Sequence, residues 1–404
     1  MPSRSNEFTM ADDAVVVAGF GPVGAVSALA LAQAGHDVVV VEADPQLRTD
    51  PSESRASTFH PPTLEMLADL GIYDELFATG LVAPTYQMRD RVEGVIAHFD
   101  LALLAEDTRY PFRLQSEQQN LVAIIERRLR ELPNVRLLWG SPITGVRRAG
   151  ERTVLELGGE EVGSIDGRWV IAADGSNSAA RRTLDIDFPG LTYPEQFLVI
   201  STEYPMETAL PGIASVNYVS DANEWFVLLQ TPRHWRALFP VSAEEAARID
   251  DHTGNQARMQ GIAKIEGDYP ISHVTLYNVH QRVAATFRIG GLLLAGDAGH
   301  INNPLGGMGM NSGIHDAIAA VSAIRQAIGG DVAALDRYDA VRREAALNVV
   351  QKATHRNWEQ LQERDPQVRA ARNAAMRATA ADPVTARQYL LGSAMLVPRP
   401  TPVG

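Results

Sequence analysis

Three stretches of this chain join glycine to a nearby carboxylate, a combination that can bring backbone N–H groups against a phosphate and hold sugar hydroxyls. Gly19-Phe20-Gly21-Pro22-Val23-Gly24 matches G-x-G-x-x-G, and Glu42 follows where an acidic residue can meet a ribose. The first two glycines permit a tight turn and the approach of a pyrophosphate to a helix N-terminus; the third lets helix pack on strand. Ala173-Asp174-Gly175-Ser176-Asn177-Ser178, with Arg181, sets a carboxylate, a turn glycine and two hydroxyls together. The same letters suit an ordinary strand-to-helix turn capped by Ser176 or Ser178. The third stretch, Leu292 to Ala317, puts Asp297 after an apolar run, where it can accept hydrogen bonds from a hydroxyl chain. Gly306, Gly307 and Gly309 then let backbone approach a flat ring, and the N–H groups opening the next helix offer partial positive charge.

These positions need strands and helices to gather them. Ala14 to Ala18 is predicted as a buried strand, Pro22 to Ala34 as a helix, and Asp37 to Val41 as a second strand ending at Glu42. In that setting the glycine string reads as a dinucleotide site, for FAD or NAD(P). Helices are expected over Pro61 to Leu70, over Gln118 to Leu132, and from about Asn311; strands over Val135 to Trp139, Ile143 to Arg148, Thr153 to Leu157 and Trp169 to Ala173. From about Asp185 to Phe287 short alternating segments, Ser215 to Val219, Trp225 to Leu229, Arg236 to Pro240 and His273 to Tyr277, suggest a mostly antiparallel sheet. The nucleotide-type pattern resumes at Leu292, so the sheet reads as an insertion. The fold class is α/β: a Rossmann-like domain (residues 13–75, 111–184 and 286–330), an inserted β domain (76–110 and 185–285), and C-terminal helices with a proline-rich tail (331–404). Residues 1–12 read as a disordered leader.

Composition narrows the chemistry. With 404 residues and no cysteine, disulfides, thiolate metal sites, Fe-S clusters and a cysteine nucleophile are excluded, and no metal site is expected. Redox chemistry would have to belong to a bound cofactor. A net charge of -13 argues against a general nucleic-acid binder. No run of about 20 apolar residues suits a membrane span, and the polar N-terminus lacks signal-peptide features, so a cytoplasmic location is expected. Lysine occurs only at Lys264 and Lys352, neither in a recognisable motif.

Taken in order, the three motifs resemble those of the single-component, p-hydroxybenzoate hydroxylase-like (class A) FAD-dependent aromatic monooxygenases, over roughly Ala14 to Asn348. The resemblance implies a glutathione reductase-type FAD domain, NADH or NADPH as transient co-substrate, and O2. It implies hydroxylation of an electron-rich aromatic or N-heteroaromatic ring through a flavin C4a-hydroperoxide. By the same likeness Gly19, Gly21, Gly24 and Glu42 would hold the ADP part of FAD, and Arg55 the pyrophosphate region. Gln118 would lie near the ribityl chain, Asp174 and Arg181 would serve both FAD and NAD(P)H, and Asp297 would bind ribityl. Gly309, Met310 and Asn311 would meet the flavin ring, and the Pro304 carbonyl would lie near the reacting centre. His300 is expected to be structural. On the substrate side Tyr218 is the chosen contact, with Tyr86, Trp225, Arg236 and His273 as further candidates; no base is assigned.

Other readings are a flavin halogenase, a reductase or dehydrogenase, and a non-catalytic FAD redox sensor. The halogenase reading lacks its lysine near the flavin and its W-x-W-x-I-P motif. The expected partner is a small aromatic molecule, and the chain could be a monomer or homodimer.

Overall fold

The computed structural model describes residues 14–47 and 56–397. The leader, Arg55 and the proline-rich tail lie outside the described residues.

Val15–Ala18, Val38–Val41 and Trp169–Ala172 are apolar throughout and buried on both faces. Such runs suit the interior of a parallel sheet covered on both sides. They belong to a six-stranded sheet ordered Arg288–Ile289, Leu292–Leu294, Trp169–Ala172, Val15–Ala18, Val38–Val41, Val135–Leu138. All neighbours are parallel except the antiparallel edge pair Arg288–Ile289 and Leu292–Leu294. This order decides where the motifs meet. Leu292–Leu294, Trp169–Ala172 and Val15–Ala18 are adjacent and point the same way, so their carboxyl ends deliver Ala295, Ala173 and Gly19 to one edge. Ligands bind at that edge in open α/β sheets.

A second sheet has eight strands, ordered His300–Ile301, Ile271–Val283, Gly190–Thr202, Trp235–Val241, Phe226–Gln230, Val216–Ser220, Thr85–Asp90, Gly94–Asp100. Its neighbours are antiparallel apart from the parallel pair Val216–Ser220 and Thr85–Asp90. Strand alternation gives it two apolar faces. Leu198, Ile200, Leu228 and Phe239 pack with Met259 of the His252–Ile262 helix. Phe197, Val216, Tyr218 and Val227 face Leu305 and the C-terminal residues Leu361, Leu390 and Leu396. The edge strand His300–Ile301 follows Asp297 directly, so the loop that carries one motif is stitched into the second sheet.

Several elements depart from the sequence reading. The strands Gly190–Thr202 and Ile271–Val283 run 13 residues each, far beyond the His273 to Tyr277 segment foreseen. Their pairing shifts register between Thr192 and Gln196, which breaks the alternation that reveals a strand in sequence. The His252–Ile262 helix inside the β segment was not expected; with little apolar periodicity of its own, it is fixed by Met259 against the sheet. The helix expected from about Asn311 begins at Gly309.

Candidate active site

A cavity of ≈ 680 Å³ runs from Glu42 and Asp44, past Gly21, Asp174 and Asp297, to a seat between Pro304–Gly307 and the eight-stranded sheet. At its first end Gly19 has φ +93, and a Cβ there would lie 2.4 Å from the Ala173 oxygen. A Cβ on Gly24 would lie 2.0 Å from the Gly19 oxygen. Both glycines are therefore demanded by backbone packing. Gly21 differs: a Cβ would meet nothing within 4 Å, and the residue lines the cavity at the N-terminus of Pro22–Gln33. Glu42 also lines it, with its carboxylate accepting from the N–H groups of Phe20 (2.5 Å) and Asp44 (2.8 Å). These bonds hold the glycine turn against the second strand and leave the carboxylate further lone pairs.

In the middle of the cavity Asp174 Oδ2 accepts from the Ala180 N–H at 3.1 Å, while its buried Oδ1 has no partner among the described residues. Arg181 sits behind this turn. It is 5 % exposed, donates to the carbonyls of Ser176 (2.7 Å) and Ala298 (2.9 Å), and lies 3.8 Å from the Phe188 ring centroid. It ties the Asp174 turn to the Asp297 turn. Arg181, expected from the resemblance to serve the cofactor, stands behind the cavity lining and donates to backbone carbonyls of the two turns.

Beneath Asp297 lies a network the sequence reading did not foresee. The fully buried Asp316 accepts from the Gly296 N–H (3.0 Å), His300 Nε2 (2.7 Å) and Arg342 Nε (2.5 Å). Burial pushes the Asp316 carboxyl up, but Arg342 and His300 outweigh it and bring the pKa to about 2. The carboxylate thereby fixes the turn that presents Asp297, and His300 has the structural contact expected of it.

At the ring end, Gly309 and Met310 line the cavity. Gly309, Met310 and Asn311 occupy the first three positions of the Gly309–Ile328 helix, where N–H groups have no intrahelical acceptor. The Asn311 side chain is buried elsewhere: it accepts from the His60 N–H and donates to the carbonyls of Thr58 and Gly307. It locks the glycine loop to the Thr58–Phe59 strand. Pro304 lines the cavity, and its carbonyl accepts from the Gly307 N–H at 3.0 Å. Gln118 lines the cavity, and its N–H donates to the Ala56 carbonyl at 3.0 Å.

The substrate-side candidates divide. Tyr218 and Arg236 line the cavity, and Arg236 is paired with Glu117 at 2.8 Å. Tyr86 is fully buried behind it, its ring edge-on to Tyr218. Trp225 packs on Phe197, and His273 lies away from the cavity lining. Among lining residues not singled out from the sequence are Tyr277, which ends the foreseen His273 to Tyr277 segment but was not read as a contact, and Arg113, in a three-residue strand too short to give a periodic signal.

A cleft along the carboxyl edge of a Rossmann-type sheet, roofed by a second sheet and flanked by two glycine-opened helix N-termini, has the form of a dinucleotide-binding site. The match of a family model described as "FAD binding domain" to residues 12–353 shows that this chain belongs to that family, the aromatic hydroxylase-like FAD monooxygenases. The chain is 32% identical over 389 residues to para-nitrophenol 4-monooxygenase of a Pseudomonas species, covering 94% of each protein. It is 32% identical over 362 residues to 6-hydroxy-3-succinoylpyridine 3-monooxygenase HspB of Pseudomonas putida, covering 87% of this chain and 90% of that one. The crystal structure of p-nitrophenol 4-monooxygenase PnpA from Pseudomonas putida superposes with a TM-score of 0.86 at 32% identity, covering 94% of this chain and 96% of that one.

The residues present fit FAD. Asp174 Oδ1 and Trp139 Nε1, both without a partner among the described residues, offer an acceptor along the cleft and a donor near Phe20 and Glu42, and Gly21 leaves open the space a Cβ would fill. Among the described residues no helix is long and apolar enough to cross a membrane.

Proposed function

We propose that this chain is an NAD(P)H- and O2-dependent FAD monooxygenase that hydroxylates a phenol-like or N-heteroaromatic ring. The observation that carries the reading is one continuous cavity joining Gly21, Asp174 and Asp297 to an apolar seat under Tyr218, in a chain with a full-length relative that is a phenol monooxygenase. Bound FAD supplies the relay of two electrons from NAD(P)H to dioxygen and the transfer of one oxygen atom to the ring.

Everything else is assigned to the chain. Gly19 and Gly24 shape the turn, Gly21 admits the pyrophosphate to the helix N-terminus, and Glu42 accepts from the adenosine ribose. Asp174 and Asp297 accept from hydroxyls along the cofactor, with Arg181 holding their two turns in register; Gln118 lies beside the same stretch. The N–H groups of Gly309, Met310 and Asn311 stabilise negative charge on the reduced ring. Val199, Val227, Leu229 and Leu238 keep water from the substrate seat, which Tyr218, Tyr277 and the Pro304 carbonyl border. The six-stranded sheet and its helices form the FAD unit, and the eight-stranded sheet the substrate unit.

The test is anaerobic reduction of the holoprotein with NADH or NADPH, followed by mixing with oxygen and a panel of substituted phenols and hydroxypyridines. The expected result is one hydroxylated product per reduced nicotinamide consumed for at least one ring. Hydrogen peroxide as the sole oxygen product across the panel would overturn the proposal in favour of a reductase.

A further inference from the structure

Arg113 opens the short strand Arg113–Gln115, paired to Leu81–Ala83 through Ala83. It lines the cavity, is 3 % exposed, and its Nε and Nη1 have no hydrogen-bond acceptor among the described residues. Its remaining contacts are uncharged. The guanidinium carbon lies 4.5 Å from the Tyr86 ring centroid, and Nη2 donates to the Ser393 carbonyl at 3.4 Å.

The titratable groups around it leave its charge standing. Tyr86 and Tyr389 are raised by burial and stay protonated at neutral pH. His60, its Nε2 bonded to the Gly306 carbonyl, is lowered well below its ordinary value by burial and then by Arg113, and is neutral as well. The other arginine of the seat, Arg236, has Glu117 as counter-ion. Among the described residues Arg113 has no ion-pair partner. A buried guanidinium without an anion is strongly unfavourable, and the aliphatic side chains of the seat, Val199, Val227, Leu229 and Leu238, can offer none. The same cavity holds Pro304–Gly307, where the ring would sit.

We propose that Arg113 binds the substrate through an anionic oxygen carried by the aromatic ring, so that the enzyme selects rings that arrive ionised over neutral ones of the same shape. The inference deepens the monooxygenase reading and depends on it for the nature of the ring. The anionic oxygen has two possible sources, a phenolate or a second acidic group on the ring, and both present the same chemistry to a guanidinium fork.

The test uses equilibrium binding to the oxidised holoenzyme, read from perturbation of the flavin visible spectrum without turnover. Three ligands are compared: a phenol ionised at the assay pH, its methyl ether, and a ring carrying a carboxylate in place of the phenol. Wild type is expected to bind at least one anionic ligand about 10- to 100-fold more tightly than the ether, the range for a hydrogen bond to a charged group. Arg113→Gln should abolish that preference while leaving FAD content and affinity for the ether unchanged, and Arg113→Lys should keep part of it. Loss for the phenolate alone identifies that oxygen; loss for the carboxylate alone identifies the second group. An unchanged preference in Arg113→Gln, or loss of FAD in place of ligand affinity, would overturn the proposal. If that variant does not fold, the wild-type ratio decides, and equal affinity for ether and anions would sink the idea. Binding is read without chemistry, so failure of wild type to hydroxylate any ring refutes the monooxygenase reading separately.

Discussion

His60 and His315 are both buried beside the loops that form the cavity. His315, hydrogen-bonded to Thr63 Oγ1 at 3.1 Å, has its pKa lowered to about 3 by burial and then by Arg342; His60 is lowered as well. In both cases the folded pKa lies below the unfolded value of about 6.5. The unfolded chain therefore binds more protons between those two values, and the stability tied to neutral imidazole is complete above about pH 6.5 and falls as pH drops below it. His315 should contribute a slope of roughly 1.4 kcal/mol per pH unit in that window, and His60 adds to it in the same direction. Urea unfolding at pH 7.5, 6 and 5 would measure this. His315→Gln should flatten the slope, and a slope equal to wild type would show that His315 is not buried neutral.

The turn after the first strand makes a sharper distinction than its motif does. Gly19 and Gly24 answer to neighbouring backbone, whereas Gly21 faces open cavity with an ordinary φ of -72. Gly24→Ala must push helix from strand against the Gly19 carbonyl, and a loss of about 1–3 kcal/mol or more in the apoprotein is expected. Gly21→Ala should leave apoprotein stability within about 0.5 kcal/mol and weaken FAD. Thermal unfolding of the apoprotein and FAD titration separate the two effects. Normal FAD affinity in a well-folded Gly21→Ala variant would contradict the position assigned to the pyrophosphate.

At the scale of the molecule, the substrate seat depends on chain far from it in sequence. The Pro383–Ser393 helix stacks Tyr389 on Phe99 with centroids 4.6 Å apart, bonds Ser393 to the Tyr86 hydroxyl, and buries Leu390 in the sheet's apolar face. That face is the one carrying Tyr218 and Val227 toward the cavity. Leu390→Ala should cost about 2–5 kcal/mol, the range for a buried leucine, and should weaken aromatic ligand binding before it affects FAD content. Denaturant unfolding with parallel FAD and ligand titrations checks the order of loss. FAD loss with intact ligand affinity would place the helix's influence elsewhere.

The sequence by itself determined the α/β class and the three glycine–carboxylate segments, because a turn beside a phosphate or a flat ring restricts residue type within a few positions. It also determined that those segments follow apolar strands. Only the tertiary structure decided which neighbours those residues serve. Arg181 turned out to hold backbone carbonyls, and Asn311 to bond the Thr58–Phe59 strand about 250 residues away in sequence. Asp316 and Arg342 gave no motif, since the buried network they form with His300 is made by two helices and a strand meeting in space. Arg113 was invisible for the same reason. Nothing in a three-residue strand marks an arginine as buried, and its lack of an anion exists only once Tyr86, His60 and the C-terminal helix have closed around it.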